Sequence, residues 1–223
     1  MMMAMAIIHK TTLTPGKLEL LAAWLPAQPW FAGSQPELTK AGGFRLDDPQ
    51  GEVGIEFMLV ADGAAVYQVP VTYHSRELPG ADGRLIGTAE HGVLGKRWVY
   101  DGVRDPVLVA ELVALLQGEV EAQAQSVSDT PDPTVTVDAA FGSALAVISS
   151  VVSGDGPSGT ELLVDVAGPD GLPAGQLAVR VARVLQPGSG DAPDGELRLS
   201  GPWQQPDGTE ARGVLATARH TPC

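Results

Sequence analysis

The sequence predicts an α+β protein dominated by antiparallel sheet, with two helices in its first half. Three observations carry this prediction. Two stretches place apolar residues at helical spacing behind a cap-and-proline signal: Thr14-Pro15 before Leu18, Leu21, Ala22 and Leu25, and Asp105-Pro106 before Val109, Leu112, Val113 and Leu116. Between and beyond them the apolar period falls to two over many short runs. Gly-, Pro- and Asp-rich turns separate those runs and account for most of the 27 glycines and 18 prolines.

The first helix follows an N-terminal strand candidate and closes at Pro26 and Pro29. Trp24, Trp30 and Phe31 crowd its exit, where large rings beside prolines wedge a helix end against a sheet; a sugar-stacking platform is the alternative reading of these rings. Strands are expected at 44–46, 53–61 and 65–73, with Asp62-Gly63 as a hairpin turn. In the third of these, Tyr67, Val69, Val71 and Tyr73 form the face that should meet a core, and Pro70 argues for an edge strand. An extended stretch over 85–100 then reaches a turn at Asp101-Gly102. The second helix runs toward Ala124, and Ser126 to Pro133 is a loop. Further strands fall at 135–137, 144–152, 161–166, 177–185, 196–199 and 213–218, with 187–194 a flexible loop. The expected division is one region over 1–125 and a mainly β region over 134–223.

Composition narrows the function. A chain of 223 residues with 44% hydrophobic and 18% charged residues has a globular make-up and enough length for a core. Its net charge of −13 repels a phosphate backbone, which argues against nucleic acid as a partner. No apolar run reaches the roughly 20 residues of a membrane-spanning helix. The apolar start has no basic region ahead of it and is too short for a secretory signal, so a cytoplasmic location is expected. Cys223 is the sole cysteine, which excludes an intramolecular disulfide and a four-cysteine zinc site.

Catalytic and metal motifs are weak throughout. Gly92-Val93-Leu94-Gly95-Lys96-Arg97 has two residues between its glycines instead of four and no Ser or Thr after the lysine, so it is not a phosphate loop. Glu90 and His91 are neighbours on a strand and point to opposite faces, which favours structural roles. Gly156-Pro157-Ser158-Gly159-Thr160 lacks the second glycine of a nucleophile elbow. The histidines have no i, i+4 spacing, and His220 with Cys223 offers two ligands where zinc takes four. Asp47-Asp48 is expected to be a solvated turn. Arg180 and Arg183 should face opposite sides of a strand, in solvent or in a local ion pair. No catalytic residue and no metal ligand is predicted.

Several stretches nevertheless resemble one family. Trp24-Leu25-Pro26-Ala27-Gln28-Pro29-Trp30-Phe31, Tyr67-Gln68-Val69-Pro70-Val71-Thr72-Tyr73, Leu85-Ile86-Gly87-Thr88-Ala89-Glu90-His91 and the run from Val93 through Trp98-Val99-Tyr100-Asp101-Gly102 to Asp105-Pro106-Val107 are similar to the amino-terminal lobe of bacterial maltokinases, which phosphorylate maltose with ATP. The resemblance implies a cystatin-like cap, a curved antiparallel sheet cradling a helix, followed by an intermediate β subdomain resembling a kinase N-lobe. Leu177-Ala178-Val179-Arg180-Val181-Ala182-Arg183-Val184-Leu185-Gln186-Pro187-Gly188 looks like the strand that carries the family's ATP-phosphate lysine, with Arg180 at that position. The preceding 153–160 segment stands where the family has a polar phosphate-covering loop and lacks that polar character.

A catalytic lobe is expected to be absent, and none of the four histidines opens a His-x-Asp pattern: His9, His74, His91 and His220 are followed two positions on by Thr11, Arg76, Val93 and Pro222. The resemblance therefore implies a non-catalytic binding or regulatory module of α-glucan, trehalose or related sugar metabolism, with a protein partner and no cofactor. A split sugar kinase is the alternative, in which this chain covers ATP and magnesium for a separate catalytic lobe; a sugar-binding protein is the third reading. Trp24, Trp30, Tyr67, Glu90, His91, Lys96, Arg97 and Trp98 are the candidate ligand or partner face.

Overall fold

A computed structural model describes residues 13–80, 84–127, 129–138, 145–188 and 195–221. The first part of the chain gives β1 (Leu13–Thr14), α1 (Lys17–Trp24), β2 (Thr39–Asp47), β3 (Gly54–Asp62), β4 (Ala65–His74), β5 (Leu85–His91), β6 (Gly95–Asp101), α2 (Pro106–Leu116) and β7 (Gln123–Ala124). The remainder gives β8 (Thr136–Asp138), β9 (Ala146–Asp155), β10 (Gly159–Ala167), β11 (Pro173–Ala182), β12 (Glu196–Gln204) and β13 (Glu210–His220). Two antiparallel sheets result, ordered β1-β5-β6-β4-β3-β2-β7 and β8-β12-β13-β11-β10-β9. The fold is α+β, and its first sheet is curled.

Both faces of the first sheet are covered, and β3 shows why its sequence is apolar throughout. Ile55, Phe57, Leu59 and Ala61 enter one core, while Met58 and Val60 enter the other. Helix α1 and the turn that follows it close the second core by placing Leu20, Leu21 and Leu25 with Tyr67, Val69 and Val71. The first core continues through α2 into the second sheet, where it takes in Leu162, Val164, Val179 and Val181. Because α2 packs against both sheets, Leu108, Val109, Leu112, Val113, Leu115 and Leu116 are all buried, which is more than the single stripe of a surface helix.

Backbone bonds tie the sheets together. Gln68 N–H donates to the Arg183 carbonyl at 2.9 Å, and Leu185 N–H donates to the Val66 carbonyl at 2.8 Å. The Gln68 side chain, fully buried, donates to the carbonyls of Ala182 and Leu215, each at 2.9 Å.

The structure corrects several expectations. β4 is an inner strand, not an edge. Pro70 is tolerated because it falls between the Tyr67–Val184 bridge and the start of the β6 ladder at Val71, where a missing N–H breaks no pairing. The 85–100 stretch is a hairpin rather than one extended run: Gly95 adopts φ 70°, and His91 Nδ1 accepts the Leu94 N–H at 3.1 Å. The first helix starts two residues later than Thr14-Pro15 suggests, with Glu19 accepting the N–H of its cap residue Gly16 at 2.6 Å. The second stops at Leu116 rather than near Ala124, since Gly118 takes φ 74° and turns the chain away. The N-terminal strand candidate, residues 189–194 and Cys223 lie outside the described residues.

Asp48 is not solvated. It is buried, and its carboxylate accepts the N–H groups of Gln50, Glu52 and Val53 at 3.0, 2.9 and 2.9 Å, which fixes the β2–β3 turn. Glu111 of α2 faces this acidic turn. Burial pushes its carboxyl up to about 7, and the charges of Asp48 and Asp47 add to the rise. The folded-state value therefore lies above the unfolded 4.5, so the group's contribution to stability is full below about pH 4.5 and is lost as pH rises through 7. Glu111→Gln, which mimics the protonated form, should gain about 1–2 kcal/mol over the wild type between pH 5 and pH 8, allowing for solvent screening. Urea unfolding at the two pH values measures this, and an equal difference at both would refute it.

Candidate functional site

The Leu177–Val181 run alternates, and the fold uses that alternation. Leu177, Val179 and Val181 point into the core, which leaves Arg180 on the outer face of the second sheet. Its cross-strand partner is Glu161, whose Oε1 lies 3.1 Å from Arg180 Nε. Arg180 also donates to Ser158 Oγ at 2.8 Å. The 153–160 segment is a tight hairpin in which Gly156 N–H donates to the Gly159 carbonyl at 2.9 Å. A Cβ at Gly159 would stand 3.2 Å from the Arg180 guanidinium carbon and 2.9 Å from the Val181 carbonyl. Glycine there lets the guanidinium fold flat across the hairpin instead of standing free above it.

Arg183 is the opposite case and a correction: it is neither in solvent nor in a local pair. It is fully buried just past the end of β11 and donates to both carboxylate oxygens of Asp101, at 2.8 and 2.6 Å. Its Nε donates to Thr160 Oγ1 at 2.9 Å, and its guanidinium carbon lies 5.0 Å from the Trp30 ring centroid. Thr160 in turn donates to Asp155, whose other oxygen accepts from Arg104 at 2.6 Å. Asp101 ends β6 in the first sheet, so this buried ion pair crosses between the sheets, with Arg183 Nη2 shared between the two carboxylate oxygens.

A second buried polar cluster lies beside it. Asp105, the N-cap of α2, accepts the Val107 N–H at 3.0 Å, the Thr72 hydroxyl at 2.7 Å, and pairs with His74 Nε2 at 2.6 Å. Burial alone would raise the Asp105 carboxyl, but the bonds from His74, Thr72 and Val107 outweigh it and hold the group below the usual carboxylate range. With three donors converging on one capping carboxylate, the cluster anchors the helix start.

The predicted face divides into a covered and an open part. Trp30 and Tyr67 are 3% and 2% exposed, their rings 6.1 Å apart, with Trp24 5.8 Å from Trp30 and Phe31 5.0 Å from Tyr67. Tyr67 Oη also accepts the Ala32 N–H at 3.3 Å. These rings build the second core and the floor under Arg183. Glu90, His91, Lys96, Arg97 and Trp98 lie together on the β5–β6 hairpin, with Lys96 4.6 Å from the Trp98 ring centroid. Among the described residues, no group of three or more His, Cys, Asp or Glu side chains is placed to hold a metal ion.

The segment from Trp24, at the end of α1, to Asp105, at the cap of α2, matches the family model of the maltokinase N-terminal cap domain over residues 24–105. That segment of the chain is similar to a maltokinase N-terminal cap domain. Among curated proteins no match was found. The matched segment holds Trp30 and Asp101, whereas Arg180 and Arg183 lie beyond it. Sequence reasoning missed the Asp101–Arg183 pair. The faint signal was an arginine within an apolar run, Val181-Ala182-Arg183-Val184-Leu185, where solvation is poor. No described helix is long and apolar enough to cross a membrane.

Proposed function

We propose that this chain is a non-catalytic relative of the maltokinase amino-terminal lobe, a cytoplasmic binding or regulatory module of α-glucan or related sugar metabolism that acts on a protein partner through its cap domain. The observation that carries this reading is the engagement of Arg180. A phosphate-binding lysine in a kinase N-lobe is a point charge aimed at the nucleotide. Here the corresponding guanidinium is tied to Glu161 and Ser158 and lies over Gly159 in a hairpin of compact, non-basic residues. A nucleotide would have to displace an ion pair and reopen that hairpin to gain one contact.

Calorimetry with ATP and magnesium tests the reading. No heat of binding is expected at millimolar nucleotide, and Arg180→Lys should not create any. Saturable binding that Arg180→Ala removes would instead support the split-kinase reading, in which the second sheet covers ATP for a separate catalytic lobe.

A further inference from the structure

We propose that two copies of this protein join antiparallel along β9, forming a two-fold dimer in which the second sheet runs on from one copy into the other. The reason lies in how the sheets end. Among the described residues, β1, β7 and β8 close three of the four sheet edges with strands of two or three residues, too short to pair with another chain, whereas β9 closes the fourth with ten. This edge alone offers a long template.

Among the described residues, no backbone group of β9 bonds outside its ladder with β10, so the N–H and carbonyl groups turned away from β10 are open along the edge. Clamps hold both ends of the strand. Gln117 Nε2 donates to the Leu145 carbonyl at 3.0 Å while its Oε1 accepts the Leu145 N–H, and Arg104 donates to Asp155 at 2.6 Å. The edge is thus ordered before anything docks, which lowers the cost of association. Residues 146–154 carry no charge and no proline, and Ile148 and Val151 are 57% and 61% exposed, so most of the guards that natural edges carry are missing. Bulges are the exception: the register on β10 shifts beside Ile148 and again beside Ser153, and only 149–152 pair regularly between them. The contact centres on that stretch.

Charge selects a second copy as the occupant. At −13, two copies repel one another over most of their surface, but β9 is uncharged up to Asp155, which Arg104 neutralises. On the neighbouring β10, Glu161 is paired with Arg180, and Asp165 is held by Ser149 and Gln176. A second copy has one strand edge of matching length, its own β9, so the contact is isologous and closes at two. Rotation about an axis normal to the sheet keeps like faces together. Val147 and Val152, half-buried against the first core, meet the core side of the other copy, and Val151 meets its outer side. So short a ladder covers less than the roughly 1,200 Å² of a stable interface, which makes the dimer weak.

Sedimentation velocity of the full chain, from low micromolar to near-millimolar concentration, tests this. The mean mass should rise toward that of a dimer and no further, and salt should strengthen association by screening the repulsion between two acidic copies. Val151→Lys, which places a charge on the edge without touching a core, should stay monomeric throughout. Val93→Lys, which alters an exposed apolar side chain on the β5–β6 turn of the first sheet, should dimerise like the wild type. In the wild type, hydrogen exchange of the outward amides within 149–152 should slow as concentration rises, with β8, at the other edge of the same sheet, unchanged. A monomer throughout the range, growth past a dimer, undiminished association of Val151→Lys, equal loss in Val93→Lys, or new protection away from β9 would overturn the proposal.

Discussion

Asp101→Ala should be among the most damaging single substitutions in this protein, at about 3–5 kcal/mol. The cost is not the value of the ion pair itself. Removing the carboxylate leaves the Arg183 guanidinium fully buried with Thr160 as its remaining hydrogen-bond partner, and Arg183 Nη1 is already unsatisfied. The Trp30 ring supplies a polarisable face but no acceptor. Replacing both partners, as Asp101→Leu with Arg183→Met, should cost much less than the two single changes combined, because no buried charge is then left unpaired. Equilibrium denaturation of the four proteins of this cycle measures the coupling, and additive single effects would show that the two side chains do not act as a pair.

Phe57→Ala should cost a comparable amount, about 3–5 kcal/mol. Phe57 is fully buried on the central part of β3, stacked on Phe44 with centroids 4.5 Å apart and planes 8° from parallel. Truncation loses that contact and opens a void beneath α2, in a core bounded by a sheet on either side and with little freedom to collapse. The substitution also reports on cooperativity. Since one core runs from Phe57 through α2 to Val164 and Val179, exchange protection of the amides at 164 and 179 should fall together with those of β3. Loss confined to the first sheet would mean that the two sheets open independently.

Much of this fold was legible because its signals are local. The two-residue period, the Asp62-Gly63 turn and the Asp105-Pro106 cap each depend on a few adjacent residues, and all three appear in the structure. What the sequence hid depends on distant partners. Pro70 reads as an edge signal until Val184, more than a hundred residues away, is seen to take the place of a neighbouring strand beside Tyr67. Arg183 and Asp101 are 82 positions apart, and neither position alone announces a buried pair. Asp48 looks like any surface aspartate until three backbone N–H groups are found converging on it. On the candidate site, strand spacing set Arg180 and Arg183 on opposite sides without saying which faced outward, and the engagement of Arg180 by Glu161 and Ser158 required the β10–β11 register.

Whether this chain regulates a complete enzyme or completes a split one is measured most directly by a sugar-kinase assay of the complex recovered on the tagged protein from its native cell. The expected result is recovery of a sugar-processing enzyme that is complete in itself, whose activity changes with this chain bound and is indifferent to Arg180→Ala. Recovery of a separate catalytic lobe, with ATP-dependent sugar phosphorylation that requires this chain and is abolished by Arg180→Ala, would contradict it.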